Sequence, residues 1–236
     1  MAMAPDSKRL RPPEATSRMS RGEEAARYIR SLIFDGELRP GSRVPQDDIA
    51  RELGVSRIPV REALIALERE GWVTIELNRG AFVNALDAQA VLDHYELYGM
   101  IYGFAARRAL DHEGGPELTR RLEQIVRDLA AVDDPSQVLQ HTLAFQRTVL
   151  EAAHSPRLRP LTRALTQLVP GDFFSLVPDA VDLERKGLRA ITRALKRGDG
   201  DKAADEWARM SHRIGERVLA LFEQRGLLSS GDALAN

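Results

Sequence analysis

Arg57 and Arg61 stand four residues apart in the segment Val55-Ser56-Arg57-Ile58-Pro59-Val60-Arg61-Glu62-Ala63-Leu64. That spacing puts both guanidiniums on one face of a helix. Near a helix N-terminus such a face carries positive dipole charge and unpaired amides, which suit phosphate, and arginine grips guanine through two hydrogen bonds. A third arginine, Arg79, sits in Asn78-Arg79-Gly80, between residues 72–76 and 81–83, which read as strands. Asn and Gly supply the positive-φ positions of a tight turn, so Arg79 is held at an exposed tip. The chemistry on offer is DNA recognition: base edges and phosphates for Arg57 and Arg61, a minor groove or a phosphate for Arg79. A bare solvated turn is the other reading of Asn-Arg-Gly.

The elements that position these arginines lie in the same stretch. Pro45 opens a segment in which Ile49, Ala50 and Leu53 recur at helical spacing, and Gly54 can take the left-handed conformation that stops it. Ser56 is placed to cap the next helix with its hydroxyl, and Pro59 is tolerated in a first turn whose amides have no internal partner. Val60, Ala63, Leu64 and Leu67 form a buried stripe, and Gly71 ends the helix. Ahead of them, a helix from about Arg21 to Asp35 has one apolar face, formed by Ala25, Tyr28, Ile29, Leu32 and Ile33, which is predicted to pack on the arginine-bearing helix. Helix, turn, helix and basic-tipped hairpin is the order of a winged helix-turn-helix, which lays its second helix in the major groove.

The linked set Leu53-Gly54-Val55-Ser56-Arg57, Pro59-Val60-Arg61-Glu62-Ala63-Leu64 and Asn78-Arg79-Gly80 resembles the GntR family of bacterial transcription regulators over about residues 25–83. The resemblance implies that Arg57, Arg61 and the Gly80 region contact operator DNA. Arg43 matches a less constant basic position ahead of the helix-turn-helix. Ser56, Arg57, Arg61, Arg79, Gly80 and Arg43 are therefore the candidate DNA contacts. Ile58 departs from the pattern, since a small polar residue, often Thr, is usual there and Ile cannot donate to a phosphate.

Charge composition says how DNA would have to be bound. The net charge is −1, and residues 1–84 hold 14 Lys+Arg against 13 Asp+Glu. Binding must come from arginines clustered on one face, not from bulk positive potential. Residues 1–20 carry Lys8, Arg9, Arg11 and Arg18 with Pro5, Pro12 and Pro13, which reads as a disordered basic arm, either simply solvated or touching DNA nonspecifically. No apolar run is long enough to span a bilayer and the first residues are polar, so no membrane partner is expected. The chain has no cysteine, which excludes disulfides and thiolate ligands and agrees with a cytoplasmic protein.

From residue 87 the pattern is helical throughout. Asp87 is a plausible N-cap for a helix to about Ala109, and Gly114-Gly115-Pro116 breaks the chain. Helices follow at about 116–131, from Asp134-Pro135 to about His154, and from Ser155-Pro156 until Pro170-Gly171. Two more run at about 179–197 and from Gly198-Asp199-Gly200 to about Arg225. The fold class is mainly α: a winged helix-turn-helix at residues 21–86, then an all-α bundle of six or seven helices at 87–228, and a tail at 229–236.

This second part resembles the FCD domain of the FadR-type branch of GntR regulators, through Glu96-Leu97, residues 145–158, and Ala190-Ile191 followed by Gly198-Asp199. The resemblance implies dimerisation and binding of a small-molecule effector. It also implies, in many members, a divalent metal held by an Asp and a His four apart plus a His on each of two later helices. Here Thr142 and Gln146 stand at the first two positions, Leu188 at the third, and His212 near the last. Hydroxyl, amide and Leu do not hold such an ion, so no metal cofactor is expected. A shifted site using His141, His154 or His212 is the alternative, with ordinary surface or capping roles as the bland one.

Tyr98 and Tyr102 stand where the family often has an Arg and a Glu, and with Tyr95 they form one helical stripe that is either core or pocket wall. A cavity of Tyr95, Tyr98, Tyr102, Thr142, Gln146, Leu188 and His212 is poor at gripping a carboxylate and suits an uncharged, apolar or aromatic effector. Gly99 and Gly103 allow close approach of a helix or a ligand. The sequence thus reads as a ligand-responsive regulator, a repressor, acting as a homodimer on double-stranded operator DNA. The alternatives are the same regulator with a metal-dependent organic-acid site, or a DNA-binding protein without effector. No nucleophile–base pair, paired-carboxylate motif or Gly-rich phosphate loop points to an enzyme.

Overall fold

A computed structural model describes residues 20–113, 115–165, 168–169, 173–177 and 179–229. The expected N-terminal arm, the tail beyond residue 229, and the chain breaks at Gly114 and Pro170-Gly171 lie outside the described residues.

The first helix, α1 (Arg21–Phe34), starts at a reciprocal cap. The Ser20 hydroxyl accepts from the Glu23 amide at 3.1 Å, and the Glu23 carboxylate accepts from the Ser20 amide at 2.9 Å. Then come α2 (Gln46–Glu52) and α3 (Arg57–Arg69), separated by Gly54 at φ 62°. Ile29 and Ile33 of α1, Ile49 of α2, and Val60, Leu64 and Leu67 of α3 bury together over Trp72. Each apolar stripe read from the sequence thus faces the shared core.

The hairpin is β1 (Val73–Glu76) with β2 (Gly80–Val83), antiparallel, in a register from Val73 opposite Val83 to Glu76 opposite Gly80. Asn78 at φ 60° and Gly80 at φ 108° make the turn, as their types suggested. The sequence reading missed a short partner for β2. Gly41 donates to the Val83 carbonyl at 2.8 Å, Val83 to Ser42 at 2.9 Å, and Val44 to Ala81 at 2.8 Å. Gly41-Ser42-Arg43-Val44 lacks the alternation that marks a strand, so its pairing is set by tertiary context.

The helical domain holds seven helices among the described residues: α4 (Ala88–Glu113), α5 (Gly115–Ala130), α6 (Pro135–Ala152), α7 (Leu158–Leu165), α8 (Phe173–Leu176), α9 (Ala180–Lys196) and α10 (Gly200–Gln224). Asp87 caps α4 by accepting from Ala90 at 2.8 Å, and Asp134 and Asp199 cap α6 and α10 in the same way. α4 runs four residues past its expected end at Ala109, since nothing between Leu110 and Glu113 breaks a helix. α4 and α10 cross closely. A Cβ on Gly99 would lie 3.0 Å from the Ala208 Cα, and one on Gly103 would lie 3.0 Å from the Ala204 Cβ. Of the two readings of these glycines, helix packing is the one seen. Tyr102 stacks on Trp207 in the centre at 4.8 Å, and Phe145 lies tilted against Trp207 at 6.1 Å.

Several contacts tie the domains together, among them an ion pair between Arg163 on α7 and Glu23 on α1. Leu86 donates to the Leu227 carbonyl at 2.9 Å, and Ser229 donates to Leu86 at 2.9 Å, so the interdomain linker pairs with the chain after α10. Beside this, Phe34 at the end of α1 meets the ring of Phe222 on α10 at 5.9 Å.

Candidate nucleic-acid interface and buried cavity

Arg57 opens α3 and Arg61 follows one turn on, both solvent-exposed. The Arg57 guanidinium is not idle: it forks onto the Asp47 carboxylate of α2 at 2.6 and 2.7 Å. Arg61 has no carboxylate within ion-pair distance among the described residues, so its donors face water. Ser56 occupies the N-cap with extended backbone, but its hydroxyl makes no cap bond, contrary to expectation. The reason is local. Residue 59, third into the helix, is a proline and lacks the N–H that a capping hydroxyl normally accepts. The Ser56 hydroxyl is thereby left exposed beside the two arginines.

The wing carries the remaining candidates. Arg43 lies across Gly80, where a Cβ would come 2.9 Å from its Nε, so glycine at 80 both turns the chain and makes room for the guanidinium. Arg79 does not project freely from the tip. It pairs with Glu76 and lies 5.4 Å over the Phe82 ring, while Leu77 is the side chain most exposed there, at 88%.

The helical domain holds a partly open cavity of about 130 Å³ between α4, α6, α7, α8, α9 and α10. Apolar cavities of about 150 Å³ hold benzene. Of the candidates, Tyr95, Tyr98, Thr142 and Gln146 line it. Tyr102 stands behind the wall, donating to the Gln146 carbonyl oxygen at 3.3 Å.

Tyr102 is therefore corrected as a pocket residue, and so are two others. Leu188 is wholly buried in the core and does not line the cavity; Glu184, one turn earlier on α9, does. His212 is 66% exposed on the outside of α10, 3.6 Å from Glu216, whereas the neighbouring Ser211 lines the cavity. One residue turns a helix by about 100°, so a one-residue slip in register exchanges inside for outside.

Glu184 is the unexpected member. It is 3% exposed, and its Oε1 has no hydrogen-bond partner. Burial pushes its carboxyl up to about 7, with the Thr142 hydroxyl pulling weakly the other way. The Thr142 and Ser211 hydroxyl oxygens are also buried without a partner of good geometry. Burial raises the phenols of Tyr95 and Tyr98 and lowers His94, against the opposing Leu165 carbonyl. The sequence did carry a signal for Glu184. It shares a stripe with Ala180, Leu188, Ile191 and Leu195, and a lone acid on an apolar stripe is out of place.

The residues at the family's metal positions do not fit an ion. Thr142, Gln146 and Leu188 offer one hydroxyl and one amide, and His212 points away. His154 lies with its ring 6.0 Å from His112, and no three His, Cys, Asp or Glu among the described residues are grouped to hold a metal.

With this geometry in place, the comparisons assign the family. Residues 21–83 match the bacterial regulatory proteins of the gntR family, and residues 93–212 match the FCD domain. A transcriptional regulator of the helix-turn-helix type from Mycobacterium tuberculosis, itself uncharacterised, is 30% identical over 207 residues, covering 87% of this chain and 84% of that protein. A GntR-type regulator structure from Rhodococcus sp. RHA1 superposes with a TM-score of 0.56 at 26% identity, covering 86% of this chain and 99% of that one. The McbR/YncC protein of E. coli shares the fold at a TM-score of 0.59 and 17% identity, covering 88% of this chain and 99% of that one. The chain belongs to the GntR family of transcriptional regulators, with a winged helix-turn-helix that binds DNA and an FCD ligand-binding domain. Its relatives are regulators, not enzymes. No helix among the described residues is long and apolar enough to cross a membrane.

Proposed function

We propose that this regulator is a homodimeric repressor that binds a two-fold operator and releases it when a small, mainly apolar molecule fills the FCD cavity. The observation that carries the reading is the course of α10. It supplies Met210, Ser211 and Ile214 to the cavity and, three turns later, Phe222 to the contact with α1. One rigid helix thus touches both the ligand site and the DNA-binding domain, so a ligand that favours one setting of α10 biases the other.

Dimerisation is supported by an unpartnered stripe on α4. Leu97, Met100 and Phe104 share one face and are 50%, 59% and 48% exposed. A second copy of the same stripe would bury it, as two-fold interfaces do. Paired recognition helices would then read half-sites roughly one DNA turn apart, with Ser56, Arg57 and Arg61 in the major groove and Arg43, Arg79 and Gly80 on the flank. Repression follows from such a dimer occupying its operator. The unpartnered polar groups of the cavity favour this reading over a DNA-binding protein without effector, and the missing ligands favour it over a metal-dependent organic-acid site.

The test is selection of bound sequences from a random DNA pool, with sedimentation of the protein alone and in complex. An inverted repeat bound by two copies is expected. A single asymmetric site bound by a monomer would overturn the reading.

A further inference from the structure

The polar equipment of the cavity is one-sided. Glu184 presents a carboxyl oxygen with no partner, and the hydroxyl oxygens of Thr142 and Ser211 are buried in the same wall without a hydrogen bond of good geometry. Among the described lining residues none is Lys or Arg. The titratable ones are His94, Tyr95 and Tyr98 on α4 and Glu184 on α9, while α6, α7, α8 and α10 contribute only neutral side chains. Tyr102 lies behind this wall.

A carboxylate out of water is unfavourable unless something neutralises it. In the empty protein a proton can do so, and the Glu184 carboxyl is pushed up to about 7. A carboxylate ligand would place like charge against it. A cation would meet the carboxylate and the aromatic rings of Tyr95, Tyr98 and Phe174, which line the same space.

Building on the effector-cavity reading above, we propose that the cavity takes a small apolar or aromatic molecule carrying a basic nitrogen, whose ammonium group donates to Glu184 and to the hydroxyl oxygens of Thr142 and Ser211. The exchange balances in charge. A protonated Glu184 and a free ammonium become an ammonium–carboxylate pair, and the carboxyl proton leaves to solvent. Affinity therefore rises with pH as Glu184 ionises, until the amine loses its own proton. His94, held neutral by its burial, does not oppose the cation.

Benzylamine, benzyl alcohol and benzoate share one skeleton and test this on the full-length protein by titration calorimetry. At pH 8 benzylamine is expected to bind at least ~10-fold more tightly than benzyl alcohol, with benzoate weakest. At pH 6, in buffers of different ionisation heat, benzylamine binding should release about one proton. Glu184→Gln should remove both the amine preference and the proton release. Its thermal unfolding at pH 8 is expected to occur no lower than wild type, which checks folding. Ser211→Ala, which keeps the carboxyl, should weaken benzylamine several-fold and retain the proton release. Benzyl alcohol or benzoate binding as tightly as the amine, or an amine preference that survives Glu184→Gln, would overturn the amine inference and leave the apolar cavity standing. If none of the three binds, the cavity reading falls with it.

Discussion

The guanidinium carbon of Arg225 lies 4.0 Å from the centre of the Phe34 ring, and its Nη1 donates to the Phe34 carbonyl oxygen at 3.0 Å. The same nitrogen reaches the Asp35 carboxylate at 3.2 Å. This residue caps α10, and Phe34 ends α1, so one side chain closes the seam between the DNA-binding and FCD domains. It satisfies a helix-terminal carbonyl that α1 itself leaves unpaired.

Arg225→Ala should therefore loosen the seam without unfolding either domain. Losing a partly buried cation–π contact and the carbonyl bond is expected to remove about 1–2 kcal/mol of interdomain stabilisation. Differential scanning calorimetry should show a broader or more widely split unfolding profile than wild type, with the DNA-binding domain melting first. An unchanged endotherm would show that the seam does not depend on this residue.

On the DNA face, the two recognition arginines should respond differently. Arg61→Ala is expected to weaken specific binding by roughly 1–3 kcal/mol per half-site, because it deletes a donor set with nothing else to do. Asp47→Ala frees Arg57 from its carboxylate. It should strengthen nonspecific DNA binding and steepen its salt dependence by about one phosphate contact. Fluorescence anisotropy with selected and scrambled duplexes across a salt series checks both. Equal behaviour of wild type and Arg61→Ala on the selected duplex would remove Arg61 from the interface.

Gly103→Val should be destabilising by about 1–3 kcal/mol despite sitting in a helix, because its Cβ would press on Ala204 3.0 Å away. Chemical denaturation is the measurement. A more stable variant would mean that α4 and α10 separate easily.

Stability should fall as pH rises through the Glu184 titration. Its folded carboxyl is pushed up to about 7, above the ordinary carboxylate range. The unfolded chain thus loses this proton first, and the native state is penalised progressively between pH ~4.5 and ~7 and fully above. The penalty is on the order of 3 kcal/mol at pH 8. Glu184→Gln should remove that slope and raise the melting temperature at pH 8 more than at pH 5. A pH profile parallel to wild type would show that Glu184 is ionised and paired in the native protein.

Much of this was legible in the sequence, for reasons that differ by region. Gly54, the Asn78–Gly80 turn and the helix caps at Asp87 and Asp134 are fixed by local chemistry, and the fold places each as its type suggested, whereas Arg79, expected free at the tip, folds back onto Glu76 and Phe82. Ser56 lacks its expected cap bond because the missing amide belongs to Pro59, three residues away, which the identity of Ser56 alone does not reveal. Tyr95, Tyr98, Thr142 and Gln146 reached the cavity because periodicity sorts inside from outside on α4 and α6. Leu188 and His212 failed because their places were counted from distant landmarks, and one residue or one turn of error moves a side chain off the wall. An acid on an apolar stripe, as Glu184 is, marks a cavity wall only once α9 is packed against α4 and α6. The pairing of residues 41–44 with β2, and of Leu86 with 227–229, depends on chain segments meeting in space and leaves no local trace.

The backbone contact of Gly99 and Gly103 with α10 has a mechanical consequence. Two long helices joined that tightly bend as one laminated beam, since packed interiors scarcely compress. From Ser211 to Arg225 the beam runs about 21 Å at 1.5 Å per residue. The cavity bears on its middle and the seam on its end. A tilt of a few degrees, imposed where a ligand seats, is therefore delivered at Phe34 as a displacement, with α4 and α10 serving as lever arm instead of hinge.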